Sequence, residues 1–111
     1  MLELIKKISK GKRIVILGFG LEGQSSLRFL MSDTIENEVV IIDRNVDLKH
    51  DQLIKDYHIK YFSGEHYLDS LRANDFIIKS PGVKLGEKFH DIKTYSQTSL
   101  FLEKYQHQII G

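Results

Sequence analysis

Three glycines, Gly18, Gly20 and Gly23, stand in the spacing Gly-x-Gly-x-x-Gly inside the run ILGFGLEGQSS. Glycine at these positions suits a loop that receives phosphate. The first permits a tight turn, the second lets phosphate approach the backbone, and the third lets the following helix pack against the preceding strand. The amides that open such a helix, here including Leu21 and Glu22, point outward without intrahelical partners and meet an anion with the helix dipole behind them. Glu22 opposes this, because a carboxylate beside a pyrophosphate repels it unless its side chain turns to solvent. Taken alone, the glycines also suit a turn that serves only close packing. The flanking pattern decides for phosphate: an apolar run, Arg13-Ile14-Val15-Ile16-Leu17, precedes them, and a helical pattern with Leu27, Leu30 and Met31 on one face follows.

Two further points join the glycines. Asp43 closes a second apolar run, Glu38-Val39-Val40-Ile41-Ile42-Asp43. An acidic residue there binds a ribose hydroxyl in dinucleotide folds, or acts as a strand-end cap or turn residue. Arg44, next in line, suits a 2′-phosphate. Ser80-Pro81-Gly82 stops the run Asp75-Phe76-Ile77-Ile78-Lys79, offering a hydroxyl at Ser80 and a bare backbone at Gly82. On these residues alone an NAD(P)-binding module of an oxidoreductase or sensor is one reading, and a scaffold without a ligand is another.

The elements that must position these residues alternate. A lead-in helix over 2–9 ends at Gly11. Strands follow over 13–17, 38–43, 59–62 and 75–79, with helices between them to about Met31, over 48–57 and over 67–71. A last helix over 96–105 leads to a fifth strand at Gln108-Ile109-Ile110. Continuous β-branched runs are strands buried on both faces, the habit of parallel sheets. The expected fold is α/β, a Rossmann-like three-layer domain with a mostly parallel five-stranded sheet. Right-handed crossovers then bring the three candidate loops to one sheet edge.

Bulk composition narrows the function classes. A chain of 111 residues has room for one modest core, and 41% hydrophobic with 28% charged residues is the mix of a soluble globular domain. A formal net charge of +1 implies no nucleic-acid partner. Neither a signal peptide nor a membrane-spanning run is present, so no membrane partner is expected. With no cysteine there is neither a disulfide framework nor a thiolate metal site, which fits a cytoplasmic location. The histidines His50, His58, His66, His90 and His107 show no metal-ligand spacing, and Glu65-His66 with Asp69 reads as a solvated helix start. Lys6, Lys7, Lys10, Lys12 and Arg13 read as a solvated basic face, and Phe29, Tyr57, Tyr61, Phe62, Phe76 and Phe101 as core.

In order along the chain, RIVILGFGLEGQSS, VVIIDR, DFIIKSPGV and TSLFLEKYQHQIIG resemble the N-terminal domain of the Mur ligase family. Asp-Arg after the second strand and Ser-Pro-Gly after the fourth favour its D-glutamate-adding branch over the alanine-adding one. The resemblance covers nearly the whole chain. It implies that residues 1–111 are a UDP-sugar-binding domain of an ATP-dependent ligase of peptidoglycan synthesis, with no catalytic residue of its own. In that family the last strand runs into a lysine-bearing phosphate loop that binds ATP with Mg2+. The chain stops just before it, so the central and C-terminal domains are expected as further parts of the same protein. The implied substrate is UDP-N-acetylmuramoyl-L-alanine. Its pyrophosphate would lie on the turn from Gly18 to Gly23, at the amides around Leu21 and Glu22. Its uracil would face Asp43, with Arg44 or Asn45 covering the base, and Ser80, Pro81 and Gly82 would line the other side. The family's arginine is expected one position further on, where this chain has Asn45.

Overall fold

The computed structural model describes residues 2–89, 91–97, 99 and 100. Helix α1 (Leu2–Ile8) leads into strand β1 (Ile14–Leu17), followed by α2 (Leu21–Leu30), β2 (Val39–Ile42), α3 (Gln52–Tyr57), β3 (Lys60–Phe62), β4 (Phe76–Lys79) and β5 (Thr94–Tyr95). The sheet order is β3-β2-β1-β4-β5, and every pairing is parallel. The α/β fold with a five-stranded sheet is therefore as expected, but the fifth strand is a different segment. Thr94 and Tyr95 pair with Ile77 and Ile78 of β4. The strand expected at residues 108–110 lies outside the described residues, as do Phe101 and most of the helix expected over 96–105. That helix does start as expected: Ser96 and Ser99 exchange side-chain to main-chain hydrogen bonds in a reciprocal cap.

Strands β1, β2 and β4 are rich in β-branched residues because both faces of the sheet are covered. One face, with Ile14, Ile16, Val39, Ile41, Phe76 and Ile78, packs against Ile5 of α1, Leu27 and Leu30 of α2, and Leu48 and Ile54 near α3. The other face, with Val15, Leu17, Val40, Ile42 and Ile77, packs against Tyr67, Leu68, Leu71, Val83, Leu85 and Ile92. The layer on this second face is thin. It consists of a 3-10 turn at Tyr67–Ser70, where a short helix was expected, and the segment that leads to β5. Right-handed crossovers account for the division. Connections running from β1 outward to β3 lie on one face, and those from β3 back to β4 and on to β5 lie on the other.

Local chemistry trims the remaining elements. The helix expected over 48–57 is a 3-10 turn at Val46–His50 and then α3, with Asp51 between them. The Asp51 carboxylate accepts from the Ile54 amide at 3.2 Å, and His58 ends α3 in the left-handed conformation. Tyr57 is not core: it is 41% exposed at the end of α3. Arg13 is not on a solvated face either. Its guanidinium is buried at the amino end of β1, where Nε and Nη2 meet the Asp75 carboxylate at 2.9 and 2.7 Å and Nη2 also donates to the Ser70 carbonyl at 2.7 Å.

Candidate functional site

Strand register sets the site. Leu17 is level with Ile42 on one side and Lys79 on the other, so the next residue of each strand, Gly18, Asp43 and Ser80, emerges at the same sheet edge. The ladders continue one step past the strands, with Gly18 N–H donating to the Ile42 carbonyl at 2.8 Å and Ser80 N–H to the Leu17 carbonyl at 2.9 Å. β1 and β4 are neighbours whose onward connections leave on opposite faces. In open α/β sheets this switch in strand order is where ligands bind.

The three glycines hold different duties. Gly18 has φ +93°, and a Cβ there would lie 2.8 Å from Val83 Cγ2 and 3.0 Å from Ser80 Cβ. A Cβ at Gly23 would overlap the Gly18 carbonyl oxygen, so the first turn of α2 sits hard against the turn that feeds it. Gly20 is different: nothing lies within 4 Å of where its Cβ would be. Gly20 is also the N-cap of α2 and supplies no side-chain cap; the helical ladder begins with Gln24 N–H donating to its carbonyl at 3.0 Å. The amides of Leu21, Glu22 and Gly23 at this helix start are the donors a phosphate would use. The Glu22 side chain is exposed, the disposition that the turn needs if an anion is to approach. Leu21 is 86% exposed on the same rim.

Asp43 is turned toward the glycine loop. Its Oδ2 accepts from Phe19 N–H at 2.6 Å and its Oδ1 from Asn45 N–H at 3.0 Å. Asn45 in turn accepts from Asp47 N–H at 2.9 Å and caps the 3-10 turn that follows. Arg44 is exposed, with its guanidinium 6.0 Å from the centre of the Tyr67 ring, and its carbonyl accepts from Gly64 N–H at 3.1 Å. Ser80 Oγ lies 3.4 Å from the Gly18 carbonyl, while Pro81 and Gly82 are exposed. Two contributors had not been singled out in the sequence. Lys79 donates to the carbonyls of Ser80 and Val83 at 3.1 and 2.7 Å and so braces the turn it precedes. Tyr67 lies beneath Arg44. A lysine ending a buried strand just before Ser-Pro-Gly was the readable signal for the first; nothing in the sequence pairs Tyr67 with Arg44.

A cavity of about 630 Å³ lies elsewhere, at the amino end of the sheet between Lys10, Lys12, Glu36 and Glu38. Two of its polar side chains serve the fold: Lys6 pairs with Asp33 at 3.3 Å, and Asn37 Nδ2 holds the Ser9 and Lys12 carbonyls at 2.8 Å each. Volume alone is a poorer guide here than free donors at a strand-order switch. Among the described residues no three His, Asp or Glu side chains converge as a metal site; His66 and Asp69 are exposed, 3.8 Å apart.

The fold and the glycine turn define the class first: a Rossmann-like α/β domain on the nucleotide-binding plan. Residues 12–97 then match the family model described as Mur ligase MurD-like, N-terminal domain, and the chain belongs to that family. The chain is similar to the UDP-N-acetylmuramoylalanine–D-glutamate ligase of Ligilactobacillus salivarius, with 27% identity covering 99% of this chain and 25% of the relative. The ligase of the same name from Ruminiclostridium cellulolyticum is 29% identical over 75% of this chain and 18% of its own length. That of Aliivibrio fischeri is 33% identical over 67% of this chain and 17% of its own. The chain thus spans about a quarter or less of these curated relatives. No solved structure matches the chain.

Proposed function

We propose that this chain binds the uridine diphosphate part of UDP-N-acetylmuramoyl-L-alanine, as the N-terminal domain of a cytoplasmic ATP-dependent ligase that adds D-glutamate in peptidoglycan synthesis. The observation that carries the reading is the uncapped start of α2, with open space over Gly20, at the strand-order switch of a domain in this family. The Leu21 and Glu22 amides receive the pyrophosphate, beside the turn of Gly18 and Gly23. Ser80, Pro81 and Gly82 line the other wall. Asp43 retains lone pairs for the uracil N3–H, and exposed Arg44 covers the base, since the Asn45 side chain is occupied as a cap.

ATP and Mg2+ belong to this reading of the complete ligase, but the residues described here do not fit them. Among the described residues no acidic cluster converges, and the glycine turn carries no lysine of the kind that grips a β- or γ-phosphate. They would be held by the other domains of the complete ligase. The NAD(P) reading is disfavoured by the family, since residues 12–97 match the Mur ligase MurD-like N-terminal domain.

An amide-resolved NMR titration with UDP-N-acetylmuramoyl-L-alanine, UDP, NAD and NADP tests the proposal. Ligand is carried to about 10 mM, because a millimolar site corresponds to only about 4 kcal/mol. Shifts at 20–23, 43–45 and 80–82 with the uridine ligands alone are expected. Shifts at those positions with NAD but not with UDP would overturn the reading.

A further inference from the structure

We infer that Asp43 is a positioning residue for the phosphate loop, acting through the main chain of Phe19, and not solely a partner for the base. The inference rests on the reading above and adds a role for one residue of that site.

Phe19 sits between Gly18, at φ +93°, and Gly20, which opens α2. Its ring is buried against the helix-bearing face of the sheet, at 6% exposure. The ring fixes one side of the turn, and the 2.6 Å bond from its amide to Asp43 Oδ2 fixes the other. The second oxygen, on Asn45 N–H at 3.0 Å, ties the same carboxylate into the loop after β2. Asp43 is anchored in its turn by its own N–H, which donates to the Phe62 carbonyl at 3.1 Å. One residue therefore joins the ends of β1, β2 and β3, through its carboxylate and its own N–H, and sets the direction in which the next amides, those of Leu21 and Glu22, face.

Electrostatics makes this informative. A bare carboxylate beside an anion site repels the anion, and removing its charge should tighten binding. A carboxylate satisfied by two amides is partly neutralised by them, and removing it releases the loop that presents the donors. The two accounts predict opposite signs for Asp43→Asn, because an amide group has only one oxygen and its NH2 cannot accept from a main-chain N–H.

The experiment compares the wild-type chain with Asp43→Asn, using inorganic pyrophosphate and UDP as probes and hydrogen exchange at individual amides. The expected result is loss of protection at Phe19 with protection retained at Ile41 and Leu30. Affinity for pyrophosphate and for UDP should fall together, by about fivefold or more. Pyrophosphate binding that is unchanged or tighter while UDP weakens would overturn the inference and make Asp43 a direct reader of the base. Protection at Phe19 that survives the substitution would also overturn it. If the variant folds poorly, a scalar coupling across the hydrogen bond from Phe19 15N to Asp43 13Cγ in the wild-type chain decides the same point; its absence refutes the strut. Wild-type silence toward both probes would instead refute the functional reading, a result distinct from either outcome at Phe19.

Discussion

Alanine at each of the three glycines should separate the architecture of the turn from its contact with ligand. At Gly23 the new Cβ would overlap the Gly18 carbonyl oxygen, a backbone atom that cannot turn aside. Overpacking of this kind costs about 1–3 kcal/mol. At Gly18 the positive φ costs an L-residue about 1–2 kcal/mol, with a further cost where the Cβ comes 3.0 Å from Ser80 Cβ. The 2.8 Å approach to Val83 Cγ2 is the cheaper conflict, because a side-chain methyl can move. Both variants should melt earlier, by about 4 °C or more per kcal/mol in a domain of this size. Gly20→Ala meets nothing within 4 Å at φ −78°. It gains about 0.4–1 kcal/mol from a stiffer unfolded chain and loses about 0.5–1 kcal/mol as a poorer N-cap. Its stability should stay within about 1 kcal/mol of wild type. On the proposed reading the added methyl nevertheless stands where phosphate would approach the Leu21 and Glu22 amides. A hydrogen bond to a charged acceptor contributes about 1.5–3 kcal/mol, so losing one weakens UDP binding by about tenfold or more. Thermal unfolding and a UDP titration of the three variants measure both quantities. Gly20→Ala binding UDP as wild type does, or Gly23→Ala melting with wild type, would refute the division of roles.

The buried Arg13–Asp75 pair gives a second expectation. Arg13→Ala or Asp75→Ala leaves one charge buried without its partner, at a cost of about 3–5 kcal/mol in urea unfolding, while replacing both by Met and Leu should recover most of the loss. A third concerns pH. The Thr34 amide, and after it the Lys6 ammonium, hold the exposed Asp33 carboxyl below its ordinary value. A depressed folded pKa adds stability above the unfolded value and loses it as pH falls through the folded one, so the contribution disappears only under acid conditions. An NMR titration should find Asp33 below a free aspartate, and Lys6→Ala should raise it part of the way, the Thr34 bond remaining.

The legible parts of the fold were those with local causes. β1, β2 and β4 announce themselves because burial on both faces demands unbroken β-branched runs. Their ends announce the loops, because parallel register brings Gly18, Asp43 and Ser80 level. What stayed hidden depends on partners far along the chain. Thr94 and Tyr95 carry no apolar run; their place is secured by pairing with β4 and by the Tyr95 ring stacked on Phe76, 4.6 Å between centroids. Arg13 reads as one more cation in a basic start until Asp75 is brought to it. The bond from Phe19 to Asp43 follows from turn geometry that no residue pattern encodes, so the sequence shows that an acid stands there but not that it faces the main chain. Asp51 is a milder case, since its cap was readable but helical spacing across it masked the break.

The two ends of the central strands have opposite designs, and the contrast bears on function. At the amino ends of β1 and β4 the polar groups close on one another: Arg13 spans to Asp75 and Ser70, and Phe76 N–H donates to the Arg13 carbonyl at 2.8 Å. A one-residue slip between these strands would exchange their buried faces and part Gly18 from Ser80, so the clasp at one end protects the alignment of loops at the other. At the carboxyl ends the side chains satisfy the loops without covering the helix start. Lys79 serves the Ser80 turn, Asp43 serves Phe19 and Asn45, and Asn45 serves Asp47. The first turn of α2 has no side-chain cap. A side-chain cap from Ser or Asp at the Gly20 position would add only about a few tenths of a kcal/mol, since glycine is itself a good N-cap. On the proposed reading, the open space before Gly20 and the amides behind it are what a phosphate acceptor would use.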